Sequence, residues 1–137
     1  MKKVLIFGII LNSLLIFAQV KLTDKEVLFA TGQKIYLEKE LDNYIQFLPN
    51  IKNIEFTNSL LKSELRKEKI DYDNYYFQYV GVKTFDKKYI YVNASCSKKD
   101  YFESKILTVK GGGKCYFISL INIEKNSIEF LKFNAPK

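Results

Sequence analysis

Two cysteines are the residues of this chain with the most distinctive chemistry. A disulfide between Cys96 and Cys115 would close a loop of about 20 residues. A nucleophilic thiol is the alternative, although the sequence has no His to activate one. The sequence leaves the bond open, because an oxidising compartment favours it whereas a simple strand meander would hold the two residues about 20 Å apart.

Five tyrosines crowd the first two predicted strands and are the candidate ligand-binding residues. They are Tyr75, Tyr76, Tyr79, Tyr89 and Tyr91. Tyrosine combines a broad apolar ring with a polar tip, which suits recognition of a sugar or a peptide. Tyrosine is also frequent in half-buried strands, so packing is the competing interpretation. Strand alternation predicts Tyr75 and Tyr79 on one face of the sheet and Tyr76 on the other.

Catalytic and metal-binding patterns are scarce. The absence of His excludes Ser-His and Cys-His nucleophile pairs and zinc sites that need nitrogen ligands. Residues 71–74 begin like a calcium loop, but Tyr76 and Val82 stand where that loop needs Gly and Glu. Seven acids lie in the predicted sheet region, and no spacing singles out a catalytic pair. We therefore predict no catalytic residue, no metal and no cofactor.

Three consecutive glycines, residues 111–113, lie between Lys110 and Lys114. Their backbone amides could cradle an anion, but a phosphate-binding loop leads into a helix. The residues that follow are typical of a strand, so the sequence favours a turn with positive φ angles.

The N-terminus carries the clearest indication of location. Lys2 and Lys3 precede an apolar stretch, residues 4–18, which is typical of a secretory signal peptide. The stretch is shorter than the roughly 20 apolar residues that cross a bilayer as a helix. Cleavage after Ala18 would leave a single α+β domain, residues 19–137, exported to the periplasm or the medium and without a stable membrane span.

The charge balance is basic, with 22 Lys and Arg against 15 Asp and Glu and a net charge of +7. Arg66 is the only Arg, and the lysines are scattered along the chain, singly or in pairs. Recognition of bases and phosphates favours the arginine fork. We therefore predict no nucleic-acid partner, and expect instead an envelope protein or a glycan.

The elements that must position these residues fall into two groups. Thr23 and Glu26 fit a capping box that predicts a short helix, and Leu37, Leu41 and Tyr44 begin a helical stripe that continues through Ile45 and Leu48. Pro49 and Asn50 end that helix, and a second helix is predicted from Thr57 or Asn58 to before Asp71. Five strands follow at residues 75–84, 89–95, 104–110, 114–123 and 127–133, with 116–121 in the centre of the sheet. The prediction is an α+β fold with N-terminal helices packed on one face of a C-terminal antiparallel β-meander of about five strands.

Several segments of the sheet region also carry a resemblance. They are Tyr79-Val80-Gly81, Tyr89-Ile90-Tyr91-Val92-Asn93 and Gly111-Gly112-Gly113-Lys114-Cys115-Tyr116-Phe117. Together they resemble small exported hypothetical proteins of Gram-negative bacteria that have no assigned activity. The order of helices followed by a meander is similar to cystatin-like and NTF2-like folds. The resemblance implies an exported single domain and no catalytic residue.

These observations predict a non-catalytic binding module for a ligand, a glycan or a protein partner, in the last case resembling an inhibitor or immunity protein. A carboxylate-dependent hydrolase acting on envelope sugars is the first alternative, and it requires two acids that face one pocket. A structural component of the envelope is the second.

Overall fold

The computed structural model describes residues 19–30, 32–35, 37, 41 and 43–136. The predicted signal peptide, residues 1–18, lies outside them. The described residues form one α+β domain with a seven-stranded mixed sheet and one α-helix. The strands are β1 (Gln19–Thr23), β2 (Glu26–Phe29), β3 (Ile45–Phe47), β4 (Tyr76–Lys83), β5 (Lys88–Ser95), β6 (Tyr116–Asn122) and β7 (Ser127–Phe133), and the helix is α1 (Ile51–Lys67). Two short 3-10 turns cover Tyr72–Asn74 and Gly113–Cys115.

The second half of the chain forms the predicted antiparallel meander, but with four strands instead of five. The sheet order is β1-β2-β4-β5-β6-β7, and β6 lies inside the sheet with a partner on each side. The predicted strand at residues 104–110 is wrong, because this stretch belongs to a loop. We call residues 97–112 the cover loop, since its Phe102 and Leu107 are buried against the sheet.

The N-terminal half differs from the prediction, because strands precede the helix. The capping-box residues form the turn of the β1–β2 hairpin instead of a helix start. Thr23 Oγ1 donates to Glu26 Oε2 at 3.1 Å, and the Lys25 amide donates to Thr23 Oγ1 at 3.1 Å. Only the second of these bonds is of the kind that caps a helix, with a Thr hydroxyl that accepts from a backbone amide, and here it helps to close a tight turn. β2 then pairs in parallel with β4, so the sheet is mixed.

The predicted helix that was to end at Pro49 is also wrong. Residues 45–47 form β3, which pairs antiparallel with β4, and Ile45 is 64% exposed where a helical stripe would bury it. Pro49 and Asn50 instead precede a helix. Asn50 is the N-cap of α1, and its side chain accepts from the Asn53 amide at 2.9 Å. The chain therefore contains the second predicted helix, with a start at Ile51 that is earlier than expected.

The two faces of the sheet have separate cores. On one face, α1 buries Ile54, Leu61 and Leu65 against side chains of β4, β5 and β6. On the other face, the cover loop packs on Val80, Tyr91 and other residues of the same strands. Adjacent residues of β4 thus belong to different cores, as strand alternation requires.

The two cysteines form a disulfide, with a Cα–Cα distance of 4.9 Å. They lie just beyond the Ser95–Tyr116 pair of β5 and β6, and the Cys96 amide donates to the Cys115 carbonyl at 2.9 Å. The expected separation of about 20 Å assumed an intervening strand. Since the cover loop replaces that strand, β5 and β6 are neighbours and the bond forms.

Candidate functional site

A cavity of about 460 Å³ opens between the β1–β2 turn, α1 and the Tyr72–Asn74 turn. Its walls are residues 23–26 of the hairpin, Asn58 and Lys62 of α1, and Tyr72, Asp73, Tyr75 and Phe77. Hairpin, helix and turn are far apart in sequence, so the tertiary fold creates the site.

Beside this cavity lies a polar group that we call the open cluster. Its Glu26 and Asn58 line the cavity, and its third member, Tyr79, is buried within hydrogen-bonding distance of both. Asn58 Nδ2 donates to Glu26 Oε1 at 2.6 Å. The Tyr79 hydroxyl lies 3.0 Å from Glu26 Oε1 and 2.6 Å from Asn58 Oδ1, and its single proton serves one of them at a time. Glu26 Oε2 accepts from Thr23, at 3.1 Å. Neutral donors thus hold the carboxylate in place and leave it acceptor capacity toward the cavity.

The charged groups around the cavity already have partners. Asp24 pairs with Lys21 at 3.1 Å, and this contact lowers the pKa of the Asp24 carboxyl. Lys25 Nζ donates to the Asp73 carbonyl oxygen. Lys62 Nζ lies 4.9 Å from the centre of the Tyr72 ring, which is a cation–π contact. The rim therefore carries both charge signs, and its Glu26 has neutral hydrogen-bond donors in place of a cationic partner.

The aromatic wall of the cavity is built around Tyr72. Its ring stacks on Phe77 with 4.4 Å between ring centres and an interplanar angle of 21°. Its hydroxyl is buried, and neighbours the Tyr79 hydroxyl, yet makes no hydrogen bond of acceptable geometry with the described residues. Burial is the main reason why the pKa of both tyrosines is raised.

A second polar group lies on the opposite face of β4 and is buried. We call it the closed cluster: Gln78, Asn93 and Tyr116. Gln78 Nε2 donates to two carbonyl oxygens of the cover loop, at 2.7 and 2.8 Å. Gln78 Oε1 accepts from Asn93 Nδ2 and from the Leu107 amide, both at 2.8 Å. Tyr116 donates to Asn93 Oδ1 and lies 3.1 Å from the Leu107 carbonyl oxygen. Every member is bonded, so this cluster fastens the cover loop to the sheet.

The five predicted tyrosines do not form one surface. Tyr75 and Tyr79 lie on the α1 face, whereas Tyr76, Tyr89 and Tyr91 lie on the cover-loop face. Four of the five are buried, and Tyr76 is half-buried. Tyr75 lines the cavity described above, and its hydroxyl donates to the Lys114 carbonyl oxygen. Tyr89 lines a separate cavity of about 350 Å³, whose wall combines leucines with the charged residues Glu129 and Lys132.

Sequence reasoning missed three residues of the site: Glu26, Asn58 and Tyr72. Glu26 had a local signal, since its spacing from Thr23 predicted a capping box, in which each side chain bonds a backbone amide. In the structure the two side chains bond to each other in a hairpin turn. Asn58 lies 32 residues from Glu26, and nothing in the sequence connects them. Tyr72 was one of several tyrosines next to a predicted turn.

Two absences complete the description of the site. Within the described ranges, no three His, Cys, Asp or Glu side chains are grouped so that they could hold a metal ion. The helical part of those same ranges includes no segment long and apolar enough to cross a membrane.

The fold and the site define a small disulfide-bonded α+β domain with a cavity that is both polar and aromatic. No protein-family model, curated protein or solved structure matches the chain. Its function is therefore inferred from the cavity itself.

Proposed function

We propose that this protein is an exported, non-catalytic binding module whose ligand occupies the cavity beside the open cluster. The observation that carries the proposal is the position of Glu26, whose carboxylate is fixed by neutral donors at the wall of a 460 Å³ cavity. Small-molecule sites have volumes of about 300–1,000 Å³ and combine apolar walls with a few placed polar groups. Tyr72 and Phe77 supply the apolar wall here.

The contrast with the closed cluster supports a role beyond folding. Gln78, Asn93 and Tyr116 bond only to one another and to the cover loop, as a structural cluster should. The Tyr72 hydroxyl, by contrast, is buried without a partner, which costs about 1–3 kcal/mol. A buried hydroxyl that destabilises the fold in this way is expected where a residue is retained for function.

Export is the second part of the proposal. The apolar stretch at residues 4–18 predicts a signal peptide, and the Cys96–Cys115 disulfide is compatible with an oxidising compartment outside the cytosol. In such a compartment, we expect the partner to be a component of the envelope or the medium.

Native mass spectrometry of the protein recovered from its producing cell tests this function. Lys62→Trp places a large ring over Tyr72 and blocks the cavity, whereas Lys52→Trp makes the same change at an exposed position of α1 outside it. We expect a bound mass on the wild type and on Lys52→Trp, and its loss from Lys62→Trp. Equal retention by both variants would place binding elsewhere and contradict the proposal.

A hydrolase is the second candidate, because Asp24, Glu26 and Asp73 line the same cavity. A glycoside hydrolase needs one acid that keeps its proton near neutral pH. The ion pair with Lys21 instead lowers the pKa of Asp24, so this residue is poorly suited to that role. Release of reducing ends from envelope polysaccharide by the wild type but not by Glu26→Gln would establish the hydrolase in place of the binding module.

A further inference from the structure

Resting on the proposed function, we infer that the ligand of the cavity is neutral and rich in hydroxyl groups: a pyranose sugar residue. The inference depends on two features of the cavity wall. One is the charged groups that it carries, and the other is the presence of hydrogen-bonding groups next to the face of an aromatic ring. Each feature is independent of the other.

The presence of both charge signs in the cavity wall argues against an ionic ligand. Asp24 is paired with Lys21, Lys25 is bonded to the Asp73 carbonyl oxygen, and Lys62 lies over the Tyr72 ring. Glu26 is held by hydroxyl and amide donors. An anion would enter against Asp24, Glu26 and Asp73, and a cation against Lys25 and Lys62. A neutral ligand meets neither repulsion and can accept from the ammonium groups while donating to the carboxylates.

The wall also matches the two sides of a pyranose ring. The axial C–H groups of a sugar form an apolar face that packs on an aromatic ring, while its equatorial hydroxyls point outward to polar groups. Tyr72 offers such a ring, because Phe77 covers one of its faces and only the exposed Lys62 side chain covers the other. An exposed cation–π contact is worth about 0.5–1 kcal/mol, so a sugar can displace it. The displaced ammonium then donates to a sugar hydroxyl, and Glu26 Oε2 accepts from another.

Amide chemical shifts of the full mature chain, residues 19–137, provide the test. Methyl glycosides of glucose, galactose, mannose and N-acetylglucosamine are the probes for a single residue, and the corresponding soluble oligosaccharides test a polymer as the source. Acetate and a short lysine peptide are the ionic probes. We expect at least one glycoside to shift the amides of residues 23–26 and 72–75 saturably, with a dissociation constant in roughly the millimolar range.

Salt and two variants separate a sugar from an ionic ligand. Binding of a neutral sugar should be unchanged when the ionic strength is raised, whereas binding of an ion should weaken. Glu26→Gln should weaken sugar binding about tenfold, since it removes a charge-assisted hydrogen bond. Glu55→Gln, an exposed acid on α1 outside the cavity, should leave binding unchanged. If Glu26→Gln does not fold, Lys62→Trp replaces it, and this variant should abolish the shifts.

The outcomes distinguish the two proposals. Shifts at these amides by an ionic probe but by no glycoside would overturn the sugar and leave the binding site standing. A glycoside that binds equally well to Lys62→Trp, or no shift with any probe, would overturn both the sugar and the site. Tighter binding of an oligosaccharide than of its methyl glycoside would identify a polymer as the source.

Discussion

The two polar clusters on opposite faces of β4 differ in what their hydrogen bonds accomplish. Gln78 and Tyr79 are neighbours in sequence, and strand alternation sends one to the cover loop and the other toward α1. The closed cluster around Gln78 is fully bonded and buried, whereas the open cluster around Tyr79 borders a cavity. The comparison teaches that polar residues of one strand can join a fully bonded cluster on one face and a cluster that borders a cavity on the other.

The closed cluster performs a task that a strand would otherwise perform. The cover loop has no ladder of backbone hydrogen bonds, yet its buried carbonyl and amide groups need partners. Gln78 bonds the carbonyl oxygens of Phe102 and Lys105, and Asn93 bonds that of Leu107 at 3.1 Å. Side chains of β4 and β5 thus replace the strand predicted at residues 104–110.

Removing the centre of the closed cluster should have the largest effect of any change to either cluster. Gln78→Ala removes four hydrogen bonds at a fully buried position and leaves their partners unsatisfied. We expect the free energy of unfolding to fall by about 4 kcal/mol. The matched change in the open cluster, Asn58→Ala at a half-buried position, should cost only about 1 kcal/mol. Urea unfolding of both variants measures the difference, and equal losses would remove the distinction between the clusters.

Breaking the disulfide should have the next largest effect. The Cys96–Cys115 bond closes the chain segment that carries the cover loop, with a sequence separation of 19. Replacing both cysteines by Ser should lower the free energy of unfolding by about 3 kcal/mol, as expected from chain entropy. Hydrogen exchange should increase in the cover loop and remain unchanged at the Glu26 side of the sheet. Cys96 itself packs against the core on the α1 face, so faster exchange on that face alone would contradict the role of the bond in holding the cover loop.

The sequence predicts the half of the fold whose contacts are local. β4, β5, β6 and β7 follow one another with short turns or a disulfide between them, and their alternation is visible in the residues. The positive φ angles of residues 111–113 are also as predicted, at 72°, 94° and 55°. The N-terminal half was not predictable in the same way, because β2 pairs with β4 some fifty residues away in sequence.

The open cluster shows why the site itself could not be predicted. Its three members come from β2, α1 and β4, and only the folded chain brings them together. The pattern from Thr23 to Glu26 is compatible with a helix start and with a hairpin turn, and the parallel pairing of β2 decides between them. Gly81 shows a related effect, since a Cβ there would lie 2.3 Å from the Phe47 carbonyl oxygen, a contact that β3 creates.

Alkaline pH tests both clusters together. Burial raises the pKa of Tyr116 to about 12, and it also raises the pKa of Tyr79. The folded state therefore keeps these protons where the unfolded chain releases them, so stability is complete below about pH 10 and is lost as the pH rises toward 12. We expect Tyr116 alone to contribute a loss of about 2 kcal/mol by about pH 12, after allowance for partial solvent access. Urea unfolding at a series of pH values measures this loss, and Tyr116→Phe should reduce it, whereas an unfolding free energy that stays constant would refute the prediction.

The smallest predicted effects are the most specific. Replacing Tyr by Phe should lower the free energy of unfolding on one face of the sheet and raise it on the other. Tyr116→Phe removes a hydroxyl that is bonded to Asn93 and lies 3.1 Å from the Leu107 carbonyl oxygen, and should destabilise the fold by about 1–2 kcal/mol. Tyr72→Phe removes a buried hydroxyl without a partner, and should stabilise the fold by about 1 kcal/mol. Urea unfolding at neutral pH provides both values.

Sugar binding tests whether the Tyr72 hydroxyl has a role in the bound state. We expect a sugar packed on the Tyr72 ring to shift that ring slightly, so that its hydroxyl donates to the neighbouring Tyr79 oxygen, which has acceptor capacity. The unpartnered hydroxyl would gain its hydrogen bond only in the bound state, so Tyr72→Phe should bind sugar several-fold more weakly although it is more stable. Titration of the cavity amides with the methyl glycoside measures this loss. A variant that is both more stable and equally tight would show that the hydroxyl is a defect of packing, and the open cluster would then differ from the closed one in burial alone.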